Sequence, residues 1–333
     1  MLELLSPVGD FDCLKSAVQN GADAVYFGAN SFSARAFASN FDDNTLEQAI
    51  NYAKIRGVKT NLTLNTLIKN NELENAISVA KRAYEYGIDA IIVQDLGLAK
   101  YLIKNFPGLA VHASTQMSIH NLDGVLELQK MGFSRVVLSR ELSLEEIEYI
   151  CKNSKIEIEV FVHGALCISY SGQCLFSSMV GGRSGNRGKC AQPCRLPYEL
   201  LENEKIIDKG YLLSPKDLCG LEFLPQLLKA GVTSLKIEGR MKTPEYVATV
   251  TRIYRKYLDL VEKNLQFKID EKDKQDLLQV FNRGGFSNGY LASSPNKGLI
   301  YPQKSNNMGI FLGSVSNFNS NNGHISFATN STL

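Results

Sequence analysis

The chain has 333 residues, 44% apolar and 21% charged, with a formal net charge of +2. That length can bury a large core with room for a small appendix, and the near-neutral balance excludes a general polyanion coat, so any nucleic-acid site must be local. No apolar run reaches the roughly 18 residues of a membrane span, and the N-terminus lacks the basic region and cleavage site of a signal peptide. The expected location is therefore the cytoplasm, with no membrane partner and with the seven cysteines reduced.

Leu2–Val8 reads as a first strand, followed by a helix from about Asp12. Asn-Gly-Ala-Asp-Ala-Val-Tyr-Phe-Gly at 20–28 then starts a pattern that recurs at 86–95, 131–140 and 230–239, with looser copies at 56–65 and 107–116. Each copy sets a glycine after a helical stretch, where a left-handed C-cap favours it. A short apolar run follows, as in parallel strands covered on both faces. Amphipathic stretches lie between the copies at 45–56, 73–86, 122–130 and 143–151, the last opened by a capping box of Ser143 and Glu146. Strands near 2–7, 24–28, 59–65, 90–94, 110–115, 135–139, 156–162 and 234–238 alternate with helices. The pattern predicts an α/β fold, a (β/α)8 TIM-type barrel over residues 1–264. No G-x-G-x-x-G follows the first strand, which counts against a dinucleotide fold.

The seventh strand runs into a long cysteine-rich insertion, 164–210, at the strand end where barrel active sites form. Cys167, Cys174, Cys190 and Cys194 are spaced C-x6-C-x15-C-x3-C. No acidic residue occurs from Val160 to Tyr198, whereas Arg183, Arg187, Lys189 and Arg195 do. Structural zinc prefers short pairs in both halves, and only Cys190–Cys194 qualifies. Iron–sulfur ligation tolerates irregular spacing. A catalytic thiol or buried structural cysteines are further readings, and Cys219, read as beginning a helix, is an alternative fourth ligand. Cys13 and Cys151 fall on helices with apolar neighbours and read as core.

No H-E-x-x-H or G-x-S-x-G is present. His163, four residues before Cys167, could form a Cys–His pair; His112 ends the fifth strand beside Ser114, Thr115 and Gln116. In the eighth strand Lys236, Glu238 and Arg240 share one face, either as an ion network or as a carboxylate or phosphate site. His112, His163 and Glu238 are the candidate catalytic residues. Residues 265–333 change character: a charged helix at 268–279, a glycine-rich turn at 281–290, then strand-like runs at 309–315 and 324–328 that read as a hairpin of a partial small β appendix.

Several blocks together are specific. Glu159-Val-Phe-Val-His-Gly-Ala-Leu-Cys167, Ser171-Gly-Gln-Cys174, Asn186-Arg-Gly-Lys-Cys-Ala-Gln-Pro-Cys194, Ser214-Pro-Lys-Asp-Leu and Phe281-Asn-Arg-Gly-Gly-Phe resemble the collagenase-like U-32 peptidase family, as do Leu5-Ser-Pro-Val-Gly and His112-Ala-Ser-Thr-Gln-Met. The resemblance covers about 1–300, and members usually continue into a complete small β domain. Several members are hydroxylation proteins acting on tRNA uridine, ribosomal RNA cytidine or the ubiquinone ring. The Cys-Ala-Gln-Pro-Cys and Ser-Pro-Lys-Asp-Leu forms look most like the tRNA branch.

That resemblance implies a four-iron four-sulfur cluster on Cys167, Cys174 and Cys190, with Cys194 or Cys219 fourth. It also implies prephenate as co-substrate, tRNA as partner and, in some relatives, a paralogous subunit. On this reading Arg240 and Lys236 hold the small dicarboxylate, and Arg183, Arg187, Lys189 and Arg195 hold tRNA phosphates. The alternatives are a metal- or thiol-dependent peptidase and a zinc-stabilised RNA-binding module.

Overall fold

The computed structural model describes residues 2–36, 38–292 and 298–328. Strands and helices alternate: β1 (Glu3–Pro7), α1 (Phe11–Gln19), β2 (Ala24–Gly28), α2 (Asp43–Lys54), β3 (Lys59–Leu64), α3 (Leu73–Glu85), β4 (Ala90–Val93), α4 (Leu96–Asn105), β5 (Ala110–Ala113), α5 (Leu122–Lys130), β6 (Arg135–Val137), α6 (Leu144–Asn153) and β7 (Glu157–Ala165). The cysteine-rich segment carries α7 (Phe176–Gly181) and a hairpin, β8 (Tyr198–Glu202) with β9 (Lys205–Gly210). Then come β10 (Asp217–Cys219), α8 (Leu224–Ala230), β11 (Ser234–Ile237), α9 (Pro244–Glu262), α10 (Glu271–Val280), β12 (Phe286–Ser287), β13 (Ser314–Asn319) and β14 (His324–Ala328).

Strands β1 to β7 run parallel in order, and β11 pairs with both β7 and β1, closing an eight-stranded (β/α)8 barrel as the pattern predicts. The Ser143–Glu146 capping box is present. Helix α4 was not among the expected amphipathic stretches; Asp95 caps it by accepting from the Leu98 amide at 2.9 Å.

Three expectations change. The long insertion is not a plain loop, since it includes α7 and the β8–β9 hairpin. Cys219 ends the short strand β10, antiparallel to β7, rather than beginning a helix. The first strand of the C-terminal hairpin is 314–319, not 309–315, and the β13–β14 pair is exposed along its length.

Residues 265–292 and 298–302 pack on the barrel: Leu277 of α10 joins the main core, β12 pairs with β10, and the Tyr211 amide donates to the Pro302 carbonyl. Contacts therefore cross the boundary drawn at 264; residues 329–333 of the appendix lie outside those described. Among the described residues no helix is long and apolar enough to cross a membrane.

The main apolar core lies between strands and helices, while inside the barrel only Leu5, Ala24, Tyr26 and Ile92 form a second apolar cluster. A column of ion pairs also crosses that interior. Glu159, with no exposed side-chain surface, accepts from Lys236 at 2.8 Å and from Arg135 at 3.0 Å. Arg135 also pairs with Glu3 at 2.5 Å and Glu157 at 2.7 Å, and Lys59 closes the series on Glu3 at 3.1 Å. Three cations meet three carboxylates, so the column is neutral. Burial alone would raise the Glu159 carboxyl, but Lys236 and Arg135 outweigh it and hold it at about 2.

Replacing Arg135 with methionine leaves Glu3 and Glu159 buried against too few cations. It should cost about 3–5 kcal/mol, read as a lower urea midpoint; an unchanged midpoint would contradict the column's role. Because the Glu159 carboxyl falls from its ordinary 4.5 to about 2, its contribution is fully present above pH 4.5 and lost as pH falls through 2.

Candidate active site at the barrel mouth

Above the ionic column, at the C-terminal ends of the strands, lies a cavity of about 40 Å³. Its charged lining is Arg35, Arg140, Lys236, Glu238 and Arg240, with Tyr26, Asn65, Gln116 and Phe161 among the other walls. Lys236 reaches the cavity but is matched below by Glu159, and its ammonium lies 4.4 Å from the Tyr26 ring centroid. Glu238 does not pair with Arg240. Arg35 takes it instead, at 3.0 Å, and although burial opposes ionisation, Arg35 leads the charges that lower the Glu238 carboxyl.

Arg240 donates to neutral oxygens only, those of Ser33, Thr63 at 3.0 Å and Asn40. It thereby holds the 33–40 loop against the mouth, and burial draws its guanidinium down to about 10. Arg140 donates to the Ala165 carbonyl at 2.7 Å and lies over Phe161 at 4.9 Å. The Nε atoms of Arg140 and Arg240 are buried and without a hydrogen-bond partner among the described residues. Three arginines thus face one carboxylate, and two positive charges are left over at the mouth.

The cysteine-rich segment spans this opening. On the β5–β6 side, Ser171 donates its amide and hydroxyl to Glu141 at 3.1 and 3.0 Å, and Ser118 donates to the Ser171 carbonyl at 2.6 Å. On the β2–β3 side, Arg187 pairs with Glu72 and donates to the Leu67 carbonyl, and the Ala36 amide donates to Gly188 at 3.3 Å. Gly188 has φ +74°, and a Cβ there would strike the Ser33 carbonyl, so the close approach requires glycine. Arg195 ties the end of the span to Ser214 at 2.8 Å and Leu166 at 2.8 Å.

These bonds correct the reading of the loop cations as unneutralised. Glu72 lies outside the acid-free segment yet neutralises Arg187, which draws the Glu72 carboxyl down to about 2. Arg195 is a structural tie. Arg183 donates to the Lys189 carbonyl at 3.0 Å, and Lys189 is exposed.

The two histidines expected to be catalytic are not at the mouth. His163 would face inward by alternation from Glu159 and Phe161, but a β-bulge between Lys236 and Ile237 turns it out. It packs there against Tyr246, Tyr254 and Phe286, with Nδ1 3.3 Å from the Tyr254 hydroxyl, and burial leads its fall to about 3. His112 faces the ionic column below the cavity; burial, then Arg135, takes it to about 3, so it is neutral. Neither histidine has a described hydrogen bond to a loop cysteine.

Burial raises the Cys194 thiol, Arg195 draws it back, and Cys167, Cys190 and Cys174 each push it up, so the four sulfurs share one electrostatic neighbourhood. Cys190 in turn acts on Arg35 at the mouth. Cys219 stands apart, 3.8 Å from the Tyr254 hydroxyl. Among the described residues no three His, Cys, Asp or Glu side chains already converge on a metal position. The donor set nonetheless suits a thiolate-bound group: four free thiols, two of them exposed, on an acid-free loop.

Sequence reasoning missed Arg35 and Arg140. Arg140 closes the recurring glycine–strand block at 131–140, and a cation just past a barrel strand was its signal.

A family model described as Peptidase family U32 matches residues 9–300. The chain is 40% identical over 308 residues to an uncharacterized protease of Methanocaldococcus jannaschii, covering 89% of this chain and 74% of that one. It is 42% identical over 262 residues to the 23S rRNA 5-hydroxycytidine synthase of Escherichia coli, covering 78% of this chain and 40% of the synthase. It is 36% identical over 299 residues to a tRNA hydroxylation protein of Bacillus subtilis, covering 85% and 71%.

In metal-free, reduced protein, Cys167 and Cys190 should alkylate first with iodoacetamide, and Cys13 and Cys219 last. Burial leads the rise of the Cys13 thiol to about 11 and also raises Cys219. Peptide mass spectrometry reads the order; early labelling of Cys219 would contradict its placement.

Proposed function

The chain belongs to peptidase family U32, and from that membership we propose that it supports 5-hydroxylation of a tRNA wobble uridine, with prephenate as the small dicarboxylate partner. One observation carries the reading: three mouth arginines against one carboxylate, roofed by a thiol-bearing span. A dicarboxylate matches two surplus positive charges, and arginine forks bind carboxylates through paired hydrogen bonds. The cavity has room for a carboxylate or a water or two, so a whole dianion requires the span to rise, and the Arg187–Glu72 pair is where it would release.

Cys167, Cys174, Cys190 and Cys194 would hold a four-iron four-sulfur cluster, which when bound supplies one-electron transfer. Glu238, kept ionised by Arg35, is the one carboxylate among the described mouth residues and the candidate to take a proton. Arg35 and Arg140 join Arg240 in holding the dianion; Lys236, matched by Glu159, chiefly sets the cavity floor.

Anaerobically purified protein should carry about four iron and four sulfide per chain, lost in Cys194→Ala and kept in Cys219→Ala. Arg140→Met should weaken prephenate binding about tenfold or more in calorimetry, with iron content unchanged. Zinc without iron in air-free protein would overturn the cluster. Unaltered prephenate affinity in Arg140→Met would overturn the anion site, and gelatin cleavage without any hydroxylated nucleoside would return the peptidase reading.

A further inference from the structure

Tyr170 lies between Cys167 and Cys174 at the β5–β6 end of the span, and it is 63% exposed. An exposed tyrosine is ordinarily mobile, but the backbone around this one is fixed. Its neighbour Ser171 is 2% exposed and bonded on amide, hydroxyl and carbonyl. The Tyr170 carbonyl accepts from the Gln173 amide at 3.1 Å, and Gln173 Nε2 donates to Ser118 at 2.7 Å. Gly172, at φ +77°, lies so close to the Gln116 carbonyl that a Cβ there would strike it, and the Arg140 amide donates to Ser171 at 3.3 Å; Gln116 and Arg140 both line the cavity.

The ring itself stands edge-on to His120, centroids 5.4 Å apart at 61°. His120 is fixed in turn: Nδ1 donates to the Ser118 carbonyl at 2.8 Å, and Nε2 lies 3.2 Å from Glu141. The Tyr170 hydroxyl has no described hydrogen bond. A pre-oriented aromatic face therefore projects from the mouth rim, on a segment of 39 residues without an acid, Val160 to Tyr198. Single-stranded nucleic acid recognition calls for a cation for phosphate and a held ring for a base, and the same span carries the exposed Lys189, whereas Arg187 is taken by Glu72 and Arg195 by Ser214 and Leu166.

We infer that Tyr170 is the stacking platform on which an unpaired base of the RNA substrate rests at the barrel mouth. The inference rests on the RNA reading above and goes beyond it by naming the ring that would orient the nucleotide. Stacking on an aromatic contributes through area and is sequence-tolerant, whereas phosphate contacts set the salt dependence. The two contributions are therefore separable.

The chain has no tryptophan, so Tyr170→Trp introduces a single indole reporter. The probe is a tRNA anticodon stem–loop with an unmodified wobble uridine, added to the full chain. Tyr170→Trp should bind like the parent, and its fluorescence should be quenched on saturation. Tyr170→Ala should bind about 5- to 150-fold more weakly with an unchanged slope of affinity against salt, while Lys189→Glu should lower that slope. Thermal melting of each variant separates lost stacking from lost folding. If the parent binds the stem–loop and Tyr170→Ala binds equally well, or the indole stays unquenched, the platform is overturned and the RNA reading stands. If the parent does not bind it, both fall.

Discussion

Glu159 fixes what the rest of the barrel can do. Fully buried, it is stable as a carboxylate only because Lys236 and Arg135 both reach it. Glu3, Glu157 and Lys59 then balance Arg135 below, so the column uses up the charge of Lys236. The mouth charges above are consequently read without it: Arg35, Arg140 and Arg240 against Glu238. A neutral interior beneath a cationic rim places the unmatched charge where barrel chemistry occurs.

The cysteine-rich span turns that rim into an enclosed site. It is fastened by Ser171 to Glu141 on the β5–β6 side and by Arg187 to Glu72 on the β2–β3 side, and its four thiols influence one another electrostatically. The fastening also explains the close glycine at 188, since any side chain there would meet the Ser33 loop that Arg240 holds. The cysteine-rich span, the 33–40 loop and the cavity thereby meet through direct contacts.

The barrel was legible because six of its eight strands repeat a glycine followed by a short apolar run, a local signal. The Lys236–Glu238–Arg240 face was legible by alternation, but its partners were not. Glu159 and Arg35 lie 77 and 203 residues away in sequence, and only ring closure brings them together. His163 misled because nearness in sequence to Cys167 is not nearness in space: past a bulge in the β7–β11 pairing it packs against Tyr246, Tyr254 and Phe286 instead. Arg187 misled because an acid-free segment says nothing of acids on a neighbouring loop, where Glu72 sits.

The similarity to proteins named for tRNA and rRNA hydroxylation, and to one named a protease, leaves the chemistry to the site itself. No described histidine serves the loop thiols, and the surplus charge suits a small dianion. The most direct measurement is nucleoside mass spectrometry of tRNA from cells lacking this chain, before and after its restoration. The account predicts that 5-hydroxyuridine is lost, returns with the intact chain, and fails to return with Arg140→Met. Unchanged 5-hydroxyuridine in the deletion would contradict it.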